Sequence, residues 1–162
     1  MKKASLSDVI VAQHQLVFRR MDGLRRGTGL RRSASSFAAV LLAHTLAENE
    51  LVDPLETDRK LRARDQSEHD VLTYALSRVL GAPTVAHTFD ARLHTLRTLL
   101  VHHCEREERA RLPALERLVG PSRSRRVAGL LSERFAALEA LDLESLVASA
   151  GSLSAADARR RR

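Results

Sequence analysis

Apolar residues recur along this chain at spacings of three and four, the period of one face of an α-helix. Ile10, Val11, His14, Val17, Phe18, Met21 and Leu24 mark the first such face. It predicts a helix from about Ser7 to Arg26, with Ser7 and Asp8 as capping residues and Gly27-Thr28-Gly29 as its end. A second helix is expected from Ser33–Ser36 to about Pro54, with Phe37, Val40, Leu41, His44, Ala47, Glu48, Leu51 and Leu55 facing inward. The third starts near Asp65–Ser67 and stops at Gly81-Ala82-Pro83, with His69, Leu72, Thr73, Leu76 and Leu80 on its inner face. The fourth runs from about Thr84 to Val119 and is kinked or interrupted by Pro113. Leu93, Leu96, Leu99, Leu100, His103, Glu107 and Ala110 line it. A fifth, from Ser122 to Leu141, is amphipathic through Val127, Leu130, Leu131, Phe135 and Leu138, and a short helical piece follows from Leu143 to Ala150.

The connections are short, so neighbouring helices run antiparallel. The expectation is an all-α fold, an up-down-up-down four-helix bundle with an extra C-terminal helix. Aromatic residues are only 3% of the chain and Leu, Ala and Arg dominate, which agrees with helices rather than strands. Residues 1–120 form the bundle, residues 121–151 an amphipathic extension, and residues 152–162 a basic tail expected to be disordered.

The second and fourth helices share a pattern. His44 is followed by Glu48 four residues on and by Pro54 ten residues on; His103 is followed by Glu107 and Pro113 at the same offsets. The first and third helices each bring one histidine, His14 and His69, 30 and 34 residues earlier. The chain therefore reads as two helical hairpins, each giving one lone histidine and one His-x3-Glu pair. The other three histidines, His87, His94 and His102, fall off these faces.

Residues four apart on a helix point the same way. Two such pairs and two further histidines offer four nitrogen donors and two carboxylates to one point in the core. A buried, unpaired carboxylate costs several kcal/mol, and a pair of divalent ions would compensate both. Imidazole with carboxylate suits iron, manganese or zinc. His14, His44, Glu48, His69, His103 and Glu107 are the candidate ligands. The competing structural reading is a buried ion-pair network.

The net charge is +7, but four of the arginines are Arg159–Arg162 and no nucleic-acid motif accompanies the charge, so nucleic acid is not expected as a partner. One cysteine, Cys104, makes neither a disulfide nor a cysteine-rich metal site. It is read first as a small residue on a helix flank and second as a redox-sensitive thiol. No segment approaches the roughly 18 apolar residues that span a membrane, and a cytoplasmic monomer or homodimer is expected. Tyr74 lies about 140° around the third helix from His69, off the site.

These residues resemble the hemerythrin-like domains with an HHE cation-binding signature, over about residues 6–120. The resemblance is carried by His14 after Asp8-Val9-Ile10, His44 and Glu48 before Pro54, Glu68-His69, and His103 and Glu107 before Pro113. It implies a non-haem centre of two iron ions, with manganese also accepted, in which the histidines are terminal ligands and Glu48 and Glu107 bridge. Oxygen-carrying members have a second histidine four residues after the third-helix one, where this chain has Thr73, and a carboxylate five residues after the fourth-helix histidine, here Glu108. The lost imidazole leaves a coordination position open, or filled by water or by a carboxylate such as Asp65. An open position suits chemistry on O2, H2O2, NO or an organic substrate by an oxidase, oxygenase or catalase-like enzyme. The alternative is a non-catalytic oxygen or iron sensor, or an iron-binding module.

Overall fold

The computed structural model describes residues 4–24, 30–82 and 86–149. The expected helix end at Gly27-Thr28-Gly29, the breaker Pro83 and the basic tail lie outside the described residues. All regular structure among the described residues is helical: α1 (Leu6–Asp22), α2 (Leu30–Leu51), a 3-10 turn (Asp53–Leu55), α3 (Arg59–Leu80), α4 (Ala86–Arg106), a π-helical turn (Glu107–Arg111) and α5 (Leu112–Glu139). Residues 143–149 form a further helical piece. No helix among them is long and apolar enough to cross a membrane.

Local chemistry explains the ends. Ser5 caps α1 by a reciprocal capping box: its Oγ accepts from the Asp8 N–H, and the Asp8 carboxylate accepts from the Ser5 N–H. α3 begins at Arg59, earlier than the apolar pattern indicates, because Asp58 caps it through the Lys60 and Leu61 N–H groups. The Arg59–Arg64 stretch is too polar for periodicity to reveal it. The early start carries Asp65 into the helix, one turn before His69.

The two prolines that follow the His-x3-Glu pairs act differently. Pro54 sits in the 3-10 turn that ends the second helix. Pro113 does not interrupt its helix. Proline has no N–H, and its ring clashes with the carbonyl four residues back. The backbone takes up one extra residue just before it as a π turn, in which the Leu112 N–H bonds the Glu107 carbonyl. That insertion shifts the register. Ala110, expected to face inward, is exposed, and Arg111 is buried in its place.

α5 then runs past the expected boundary but breaks at Gly120, whose φ of 76° and ψ of 165° suit glycine alone. The part after Gly120 is tied to the N-terminal helices. Ser124 Oγ accepts from the Leu6 N–H at 3.0 Å and donates to Glu116, and Arg134 makes two bonds to Glu50. Val127, Leu131, Phe135 and Leu138 are buried there. Leu130 and Leu80, both expected to face inward, are exposed at 45% and 38%; Val79 takes the core position at the end of α3. α1, α2 and α5 pack on one another, α3 packs on α4 and α2, and the π turn joins α4 to α5. Leu6, Ile10, Phe37, Leu41, Leu72, Leu96, Leu100 and Leu115 fill the interior, each stabilising the fold by about 1.5–3 kcal/mol through burial.

Candidate metal centre

Within this apolar interior lies a compact polar island. His14, His44, Glu48, His69, His103 and Glu107 are each at most 2% exposed. α1, α2, α3 and α4 supply the four imidazoles, and Glu107 opens the π turn. Ring centroids are 4.9 Å apart for His14 and His44, 5.0 Å for His69 and His103, and 6.1 Å for His14 and His103. The donor atoms fall into two groups that share His103: His14, His44, His103 and Glu107, and Glu48, His69 and His103, the atoms of each lying within 4.8 Å of one another. His87, His94 and His102 are exposed, as is Tyr74.

Each imidazole is fixed from behind. His14 Nδ1 donates to Glu108 at 2.7 Å, His44 Nδ1 to the Gln13 side-chain oxygen at 3.1 Å, His69 Nδ1 to the Asn49 side-chain oxygen at 2.6 Å and His103 Nδ1 to Glu68 at 3.1 Å. All four partners are oxygen acceptors, so the proton of each neutral ring sits on Nδ1 and the Nε2 lone pair faces the others. These outer partners were not identified from the sequence. Gln13 directly precedes His14 and Glu68 precedes His69, yet each serves the histidine of another helix, a relation only the packing creates.

The inward atoms have no hydrogen-bond partner: Nε2 of all four histidines, both oxygens of Glu48 and Oε2 of Glu107. His14 Nε2 stands 3.2 Å from Glu107 Oε2, and His69 Nε2 stands 3.3 Å from Glu48 Oε2. Two lone-pair-bearing atoms at such distances repel unless a cation, proton or metal, lies between them. Protons do not serve the whole set. Burial pushes the His44 imidazolium well down, with the neighbouring His14 adding to the effect, and pushes His69 down as well. For His14 burial acts in the same direction, but the Cys104 sulfur and the Glu107 carboxylate outweigh it and raise the group to about 11. Burial and the Glu107 charge hold the Glu48 carboxyl up at about 7. Burial also acts to raise Glu107, but the His14 imidazole 3.2 Å from its Oε2 and the Arg111 charge win and hold it well below its ordinary value. An oxygen–nitrogen donor set with its lone pairs convergent, its outer atoms all bonded and a buried excess of carboxylates fits divalent cations.

Two carboxylates left open by the sequence find other work. Glu108 is the acceptor behind His14. Asp65 pairs with Arg111 Nε at 2.9 Å and with Arg106 at 2.8 Å, and belongs to neither donor group. Arg111, 5% exposed, also meets Glu107 Oε1 and Asp53. Cys104 is buried, free and against His14.

A family model described as the hemerythrin HHE cation binding domain matches residues 5–115, more than half of the chain. None of the curated proteins or solved structures compared matches it.

Proposed function

Since the chain belongs to the hemerythrin HHE cation-binding family, we propose that its interior holds a non-haem di-iron centre that reacts with O2, peroxide or NO. The ligand-bearing helices are read as an up-down-up-down four-helix bundle with the segment after Gly120 added, in a cytoplasmic monomer or homodimer. His14, His44, His69 and His103 supply nitrogen, and Glu48 and Glu107 supply oxygen. The observation that carries the reading is the convergence of seven buried, unpartnered atoms from these six side chains, each imidazole held from behind by an oxygen acceptor. Manganese fits the same donors.

A bound iron pair would supply the electrons for reduction of a small oxidant. The chain's own residues provide the rest. Gln13, Asn49, Glu68 and Glu108 fix ring orientation and keep a proton on each Nδ1. Leu72, Leu96 and Leu100, buried on the helices that carry His69 and His103, contribute to an apolar interior that keeps bulk water out. Glu108 is 37% exposed and Glu68 25%, so each joins a buried imidazole to the solvent side. The six ligand side chains are each at most 2% exposed, which supports a diatomic molecule or a peroxide over a bulky organic substrate.

Hydrogen peroxide turnover and O2-dependent optical change, both measured on the iron-loaded chain, test the proposal. Activity or an optical response supports it. Absence of both from a protein that holds its iron leaves the non-catalytic iron-binding reading.

A further inference from the structure

The part of α5 beyond Gly120 buries one face against the N-terminal helices and turns another to solvent. Arg126, Gly129, Leu130 and Glu133 are all exposed, and their spacings of three and four place them on one side of the helix. Leu130, a large apolar side chain, is 45% exposed and lines both surface hollows found among the described residues. Arg126 and Glu133 stand two turns, about 10 Å, apart, too far to pair with each other. No position three or four residues from either carries an opposite charge, and no ion pair joins either to another described residue. Gly129 is equally unaccounted for. Its backbone lacks the positive φ that makes Gly120 a glycine, and nothing lies within 4 Å of where its Cβ would sit. Glycine is less favourable than alanine inside a helix, so neither its own backbone nor a described neighbour explains it.

We propose that this face is the contact between two copies of the chain, crossing antiparallel about a twofold axis at Gly129 and Leu130, with Arg126 of each copy against the partner's Glu133. In a twofold contact each pairing occurs twice, with the roles exchanged. Arg126 and Glu133 lie equally far on either side of the midpoint between Gly129 and Leu130. A half-turn about that point therefore sets arginine on glutamate at both ends. It also sets Leu130 over the open space above the partner's Gly129, large into small. The charges select this arrangement. A parallel crossing in register would set like on like. A nucleic acid or an anionic lipid surface, carrying one sign, would meet Arg126 well and be repelled by Glu133. The inference is independent of what the buried centre holds.

Sedimentation of the full chain across a micromolar concentration series tests it, with circular dichroism on every variant to confirm folding. The wild type is expected to dimerise. Arg126→Glu and Glu133→Arg each place like charges together twice, and each should weaken the dimer about tenfold or more. Mixed in equal amounts, the two single variants should pair with each other, because every contact between them again joins opposite charges. The double variant Arg126→Glu with Glu133→Arg should pair with itself. Gly129→Leu should keep its helix, since its own chain leaves that space open, yet weaken the dimer by filling the gap meant for Leu130. A wild-type dimer that both charge reversals leave unchanged overturns the proposal, as do single variants that fail to pair on mixing. A wild type that stays monomeric also overturns it, and salt-sensitive binding of that monomer to phosphatidylserine vesicles would give the face a lipid partner instead.

Discussion

Glu107 and Glu108, adjacent in the π turn, face opposite nitrogens of one ring: Glu107 Oε2 stands 3.2 Å from His14 Nε2, and Glu108 Oε1 accepts from His14 Nδ1 at 2.7 Å. One carboxylate is buried among the inward donors and the other reaches the solvent edge. Glu108 thus fixes the orientation of His14, while Glu107, from the same stretch of backbone, presents an unpartnered oxygen beside the inward nitrogen.

Removing the outer acceptors should weaken metal binding without dismantling the fold. Glu108→Ala and Asn49→Ala each take away the partner of one Nδ1, freeing the ring to rotate. Each is expected to lower metal affinity about 10–100-fold, as such outer partners do elsewhere. Competition with a coloured chelator measures it. Affinities equal to wild type in both variants would show that the rings are held by packing alone.

Metal should stabilise the folded chain by mass action. At a free metal concentration a thousandfold above the dissociation constant the gain is about 4 kcal/mol. Thermal unfolding of the loaded protein should therefore fall by many degrees on adding chelator. The cause is specific: without metal, Glu48 and Glu107 leave three buried oxygens unpartnered.

Gly120 occupies a backbone region that a side chain strains, although open space surrounds it. Gly120→Ala should cost about 1–3 kcal/mol. Because Gly120 lies away from the histidines, the amount of metal bound should not change. A melting temperature equal to wild type would mean that the backbone bend relaxes freely.

The Glu116 carboxylate accepts from the Ser7 N–H and the Ser124 hydroxyl. Partial burial acts to raise it, but these bonds hold it below its ordinary 4.5. With the folded value below the unfolded one, its contribution is present above the unfolded value and lost as pH falls through the folded value. Solvent screening keeps the effect modest. Glu116→Gln should flatten this part of the acid limb of the stability–pH curve and cost about 1 kcal/mol at neutral pH. An unchanged acid limb in urea titrations would contradict it.

The histidine positions were legible because burial forces periodicity: His14, His44, His69 and His103 each sit in an apolar stripe, and the structure buries all four. Glu107, expected inward on the same face, is buried, while Glu108 is partly exposed. Arg111 was not legible, because the π turn adds a residue and sends Ala110, at the expected inward position, to the surface. Pro113 was the available signal, read as a kink or an interruption, but it did not reveal that the backbone gains a residue before it. Asp53 escaped, and Asp65 was read as a candidate ligand rather than as a partner of Arg111, for a related reason: their pairing depends on Arg111, which comes from a distant part of the chain. Gln13 and Asn49 are ordinary helix residues until another helix brings an imidazole to them.

The most direct test of the central claim is elemental metal analysis of the chain after anaerobic loading with ferrous iron, alongside His44→Ala and His103→Ala. The account predicts a pair of ions per wild-type chain and a sharp loss in both variants, deepest in His103→Ala because both donor groups share that ring. A wild-type chain that binds no iron would contradict it, and would mean that the buried histidines and carboxylates are an ion-pair network on a hemerythrin scaffold.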